Sequence, residues 1–231
     1  MTDAPFHIGF VLFPGITQLD FTGPLQVLHR LPGARVHLAS KTLDPLPSDC
    51  GLDLVPNTTF DACPQLDLIC VPGGFGVDDA MRDAAVTGFL KAQAEAARYV
   101  ASVCTGAFVL GAAGLLAGKR ATTHWAYHGD FATVGAVPVK ARVVRDGAVF
   151  TGGGVTAGID FALTIAAEIA GEDVAWAIQL SLEYDPAPPF DSGTPDRVPE
   201  TVRSGVDARY APRLAAFREA LRDAGFSPSD S

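Results

Sequence analysis

At 231 residues the chain has the length of one domain with a sizeable core, and 48% hydrophobic against 19% charged residues marks an ordinary folded protein rather than a disordered one. A net charge of −9 argues against a nucleic-acid surface, which needs a basic patch, and no uninterrupted apolar run reaches the roughly 18 residues that span a bilayer. Met1 to Pro5 has no basic flank or signal-peptide core, and Cys50, Cys63, Cys70 and Cys104 form neither a C-x-x-C pair nor a metal spacing, so a cytosolic protein with reduced thiols is expected.

Ile8 to Phe13 is a continuous apolar run ending at Pro14-Gly15, the pattern of a buried parallel strand. Gln18-Leu-Asp20 is read as a loop, with Thr22-Gly-Pro24 opening a short helix that Thr22 caps and Pro24 begins. Asp20 then lies beyond the first strand, where open α/β sheets collect ligands, and is either a functional carboxylate or a cap for the same helix. Arg35 to Ser40 alternates as a second strand, and Leu52 to Val55 fits a short edge strand. Leu66 to Val71 is another buried strand, ending in Pro72-Gly73-Gly74-Phe75-Gly76. Gly73 and Gly74 make either a tight turn or a set of N–H donors facing an anion.

Asp83 to Arg98 reads as a helix capped by Asp83, with Val86, Phe89, Leu90 and Ala94 inward. Tyr99 to Val103 is a strand that runs directly into Cys104, and Thr105, Gly106 and Ala107 are small enough for a helix to start at once and continue to near Gly118. A cysteine at such a helix start sits where unpaired N–H groups favour a thiolate; the alternative is a buried packing cysteine. Lys119 to Thr123 begins a further strand, followed by His124 and Trp125; Val137 to Val144 and Ala148 to Thr151 flank a hairpin turn at Arg145-Asp-Gly147. Gly152-Gly153-Gly154 leads into a helix from about Thr156 to Ala170, and Asp173 to Tyr184 is one more. His7, His29 and His37 fall in strand or helix patterns and read as structural, and His124 is either a hydrogen-bonded core residue or a group of the site. Prolines at 186, 188, 189, 195 and 199 break the chain before a charged helix from about Glu200 to Ala224. The expectation is a single domain over 1–231 with a C-terminal helical extension from about 197, built as a mostly parallel sheet with helices on both faces. Asp20, Gly73-Gly74, Cys104 and Gly152 to Gly154 then share one rim, which favours a functional Cys104.

Taken together, Phe13-Pro14, Asp20-Phe-Thr-Gly-Pro24, Val71-Pro-Gly-Gly74, Ser102-Val-Cys-Thr-Gly106, Ala121-Thr-Thr-His-Trp125 and the Thr151 to Asp160 run resemble the ThiJ/PfpI superfamily. The resemblance covers about residues 6–195 and within the superfamily points to the isocyanide hydratases. It implies a flavodoxin-like sandwich with a strand–Cys–helix nucleophile elbow, a homodimer, no cofactor and no metal. Protease-like branches place His directly after the cysteine, where this chain has Thr105, and other branches use a glutamate where Asp20 stands. By resemblance, Cys104 is the nucleophile forming a covalent thioimidate with a small-molecule isocyanide, and Asp20 is the proton shuttle. An ionised Asp20 beside a thiolate is repulsive and raises both pKa values, so Asp20 carries the proton when it faces the thiolate. Gly74 and Thr105 are expected to offer N–H groups near the sulfur, and the resemblance adds the N–H of Val155; relatives with a Cys–His pair carry a histidine near His124. The competing readings are a sensing domain related to AraC-type regulators and a redox sensor in which Cys104 is oxidised without turnover. The short segment after the prolines, not strongly basic, speaks against a DNA-binding region.

Overall fold

The computed structural model describes residues 5–227. The reading of residues 1–4 lies outside them. In chain order the elements are β1 (Phe6–Val11), α1 (Gln18–Leu28), β2 (Ala34–Ser40), β3 (Leu46–Pro47), β4 (Asp53–Leu54), β5 (Thr58–Thr59), β6 (Leu68–Val71), α2 (Val77–Arg82), α3 (Ala84–Ala94), β7 (Tyr99–Val103) and α4 (Gly106–Ala112). There follow β8 (Arg120–Ala121), a 3-10 helix (Trp125–Val134), β9 (Val137–Pro138), β10 (Val143–Asp146), β11 (Val149–Gly152), α5 (Ala157–Ala170), α6 (Glu172–Ser181), a 3-10 turn (Pro195–Arg197) and α7 (Glu200–Asp223).

Seven strands form one sheet in the order β10-β11-β7-β6-β1-β2-β5. All its pairings are parallel except the β10–β11 hairpin, whose turn at Arg145 to Gly147 is the one expected. β6, β7 and β11 are buried along their whole length, as strands covered on both faces must be. Helix α1 packs on α5 and α5 on α6, while α2 contacts α3, α4 and α7. From β1 the chain moves outward to β2 and β5, then returns to β6 on the other side of β1. That reversal opens a crevice at the carboxyl ends of β1 and β6, with β7 beside it. Phe10, Phe108, Phe131, Phe150, Phe161 and Phe217 are fully buried. Each such ring contributes about 2–3 kcal/mol of burial, so Phe217 holds α7 to the body of the fold.

Several boundaries differ from the sequence reading. Helix α1 begins at Gln18, so Asp20 is in its first turn and Pro24 is inside it. The first N–H of α1, on Gln18, donates to Asp49 Oδ1 at 3.2 Å, while the Thr22 hydroxyl donates to Gln18 Oε1. A cap supplied from 31 residues downstream has no local signature, which is why Thr22 looked like the better start. β4 pairs only with β3 in a separate two-stranded ladder, so it is not an edge of the main sheet. The region expected as one strand from Val137 to Val144 is split, with β9 pairing β8 and β10 pairing β11. Helix α4 stops at Ala112 rather than near Gly118, and the six-residue α2 has no counterpart in the sequence reading. Asp83 does cap α3, accepting from the Ala85 N–H at 2.9 Å. No helix among the described residues is long and apolar enough to cross a membrane.

Candidate active site

Cys104 joins β7 to α4 with φ +57°, a left-handed conformation rare for a residue with a side chain. The surroundings hold it there. Its N–H donates to the carbonyls of Gly152 and Gly153 at 3.0 and 2.9 Å, and its own carbonyl accepts from the Thr123 hydroxyl at 2.9 Å. Gly106, two residues on, lets α4 pass close under β6: a Cβ there would overlap the Val71 carbonyl and come within 2.6 Å of that of Pro72. Glycine at 106 is therefore what lets the chain turn as sharply as the strand–Cys–helix reading requires. The thiol itself is nearly buried, at 6% exposure for the residue.

Asp20 is fully buried beside it. One carboxyl oxygen, Oδ2, accepts from the Gly73 N–H at 3.1 Å; the other, Oδ1, makes no hydrogen bond among the described residues. It is therefore neither a cap of α1 nor part of an ion pair. Burial pushes its pKa up to about 7, against the smaller opposing pull of the Cys104 thiol and the Gly73 N–H. The same burial, and then the Asp20 charge, raise the Cys104 thiol well above its ordinary value. The Thr105 N–H and hydroxyl oppose that rise without reversing it. The expectation of an intrinsically acidic thiol at a helix start is thus corrected: α4 has only seven residues, and desolvation outweighs its N–H groups. Asp20 raises the thiol, as expected from their charges, but the thiol lowers Asp20 through its hydrogen bond, so the expected mutual rise holds in one direction only.

The glycine loop after β6 is clamped onto the loop after β1. Thr17 N–H donates to the Gly73 carbonyl at 3.0 Å, and Gly74, at φ +129°, has no room for a Cβ beside Gly15 and Thr17. Both N–H groups of this turn have protein partners: Gly73 serves Asp20, and Gly74 donates to Thr105 Oγ1 at 3.0 Å. Gly74 therefore fixes Thr105 instead of facing the sulfur, and the loop behaves as a tight turn. Only Thr105 of that expected pair turns its N–H to Cys104.

The thiol opens into a cavity of about 160 Å³ that also includes Gly74, Thr105, His124 and Val155. His124 is hydrogen-bonded, as one reading had it, and also reaches the cavity. Its Nδ1 accepts from the Ala126 N–H at 3.3 Å, which caps the 3-10 helix, and its ring lines the cavity. Burial, helped by His128, lowers its pKa to about 4, so the imidazole is neutral and carries its hydrogen on Nε2. Tyr127 and Tyr210 complete the far wall, with Thr17, Asp49 and Phe75 also on the lining. None of these five was singled out in the sequence. Tyr210 had a usable signal: Tyr210, Leu214, Phe217 and Leu221 recur at helical spacing on α7, the last two fully buried.

A sequence model of the DJ-1/PfpI family matches residues 7–168. The chain is 61% identical over 208 residues to the isonitrile hydratase of Pseudomonas putida, covering 90% of this chain and 91% of that one. A crystal structure of a ThiJ/PfpI family protein from Pseudomonas syringae superposes with a TM-score of 0.91 at 41% identity, covering 96% of this chain and 92% of its own. An HTH-type transcriptional regulator of Pseudomonas aeruginosa is 31% identical over 191 residues, 78% of this chain but only 51% of the regulator.

Proposed function

The chain belongs to the DJ-1/PfpI family, and we propose that it is an isocyanide hydratase, a hydro-lyase that adds water to R–N≡C to give the N-formamide. The observation that carries this reading is a buried carboxyl with one unpartnered oxygen beside a thiol that opens into a small cavity, in a chain 61% identical to an isonitrile hydratase. The reaction asks for those two groups. Cys104 sulfur bonds to the terminal carbon, and the thiol proton passes through Asp20 to that same carbon, giving the thioimidate R–N=CH–S–Cys104. Water then adds to the carbon while the Asp20 carboxylate takes one of its protons and passes it to the nitrogen, and the remaining hydroxyl proton goes to the departing sulfur. The C–S bond breaks, the thiol is restored and R–NH–CHO leaves. The N–H of Thr105 faces the sulfur and steadies the charge on it. Neutral His124 supplies a wall of the cavity.

The reaction as written needs no cofactor. The same reading takes the protein as one domain over 1–231 with a C-terminal helical extension, working as a cytoplasmic homodimer. Four unpaired cysteines support the compartment, and the exposed apolar side chains of Trp176, Leu180, Phe190 and Val202 support a contact between copies. The identity to an HTH-type regulator favours a second reading, a ligand-sensing domain without turnover. Mixing the protein with an alkyl and an aryl isocyanide, and following the N-formamide by mass spectrometry, separates the two. The hydratase releases formamide in excess over protein, and Cys104→Ala and Cys104→Ser stay folded but release none. Binding without formamide leaves only the sensing domain.

A further inference from the structure

Helix α7 lies outside the family match at 7–168, yet it reaches the thiol cavity. The Tyr210 ring stacks on His124, 5.7 Å away at an interplanar angle of 25°, and meets Tyr127 edge-on at 6.3 Å. Three contacts hold the helix in that place. Arg213, one turn along, donates to both oxygens of Asp78 at 2.5 Å and to the Phe75 carbonyl at 3.0 Å. Phe217 fills the space between Phe108 and Tyr127, 4.8 Å from each ring. Arg218 donates from Nε to both oxygens of buried Asp130 at 3.0 Å. The loop that Arg213 grips, at Phe75, is the one that positions Asp20 and Thr105.

Beyond Tyr210 the surface opens. Trp125 follows His124 in the chain and lies 5.7 Å from the Tyr210 ring. It lines a second cleft of about 650 Å³, together with Val202 and Val206 of α7. Val206 is one helical turn before Tyr210. Tyr210 and Trp125 therefore form the partition between a cavity of about 160 Å³ at the thiol and a larger apolar cleft outside it.

We propose that Tyr210 is a specificity-determining residue. Its ring, braced on His124 and Trp125, limits the R group admitted to Cys104, so that the site takes isocyanides with compact apolar R groups and refuses those needing the outer cleft. This rests on the hydratase reading for its substrate, while the wall itself is a matter of geometry. One methylene more or less in an apolar pocket alters selection by about 10- to 200-fold.

The test compares the full-length wild type with Tyr210→Ala and Tyr210→Phe, using two readouts. The first is kcat/KM for isopropyl isocyanide and for 2-naphthyl isocyanide. Tyr210→Ala raises the naphthyl-to-isopropyl ratio about tenfold or more, through a lower KM for the naphthyl compound, and Tyr210→Phe keeps the wild-type ratio. The second needs no hydration: the rate of Cys104 alkylation by iodoacetamide against N-phenylmaleimide, followed by mass spectrometry of the peptide that carries Cys104. The same shift toward the bulkier reagent is expected in Tyr210→Ala. Should that variant fail to fold, Tyr210→Leu carries the same expectation, since it keeps apolar packing but loses the ring. A shifted alkylation ratio without formamide production would sink the hydratase reading and leave the wall standing. A folded Tyr210→Ala or Tyr210→Leu with both ratios unchanged would overturn the assignment of Tyr210.

Discussion

Asp20 and Asp130 are withdrawn from solvent to the same degree, at 0% and 1% exposure, but their surroundings differ in kind. Asp130 sits at the 3-10 helix with the Arg218 guanidinium across both of its oxygens, joining α7 to the body of the protein. Asp20 has one backbone N–H, a thiol for a neighbour and an oxygen without a partner. A buried carboxylate with a guanidinium across both oxygens acts as a fastener. One without a cation can keep its proton near neutrality, and that is what a proton carrier needs. The difference teaches where this fold accepts a cost: the uncompensated group stands beside the strained Cys104, and the compensated one sits on the 3-10 helix, where it fastens α7.

The largest expected effect separates the two carboxyls by stability. In the native state Asp20 holds its proton up to about pH 7, while the unfolded chain releases it near pH 4. The native state thus binds more protons between those values, so stability falls as pH rises from 4 to 7 and then levels off. Asp20→Asn keeps the acceptor for Gly73 N–H and removes this penalty. Chemical denaturation is expected to find it more stable than the wild type by up to about 4 kcal/mol above pH 7, with the gap closing toward pH 4. A gap that stays constant across that range would mean the two carboxyls are not different in this respect.

Breaking the other pair should act in the opposite direction. Arg218→Leu leaves Asp130 buried without its guanidinium and is expected to cost about 3 kcal/mol of stability at pH 7. The acid limb of the pH–rate profile should not move in that variant, because Arg218 does not touch the thiol cavity. A stability loss under about 0.5 kcal/mol would show that Asp130 is not a fastener, and the comparison would lose its structural half.

Much of this arrangement was legible in the sequence because it rests on local patterns. The run from Tyr99 into Cys104 specifies a buried strand and a turn, and Gly106 is the residue the turn needs. Parallel order followed from fully apolar strands that alternate with helices. The position of Asp20 beyond β1 was readable, but its place inside α1 was not, since the helix start depends on Asp49 from a distant loop. The two-residue strands β3, β4 and β5 are too short for alternation to show. The readings of Gly74 as an N–H donor to the sulfur and of Cys104 as an acidic thiol went astray for one reason. Both depend on which groups are buried against which, a property of packing that motif spacing does not encode. Tyr210 escaped because the charges of α7 masked an apolar stripe whose spacing was present all along.

The central claim is that Asp20 carries the proton between Cys104 and the substrate carbon. The direct measurement is kcat/KM for one isocyanide from pH 5 to pH 9, in the wild type and in Asp20→Asn. The working enzyme has one proton shared between thiol and carboxyl, so taking up a second proton leaves no base for the thiol. The account predicts that wild-type activity falls as pH drops through about 7, and that Asp20→Asn is slower by on the order of 10²-fold or more with that limb gone. An Asp20→Asn enzyme that turns over at the wild-type rate with the same limb near pH 7 would contradict it.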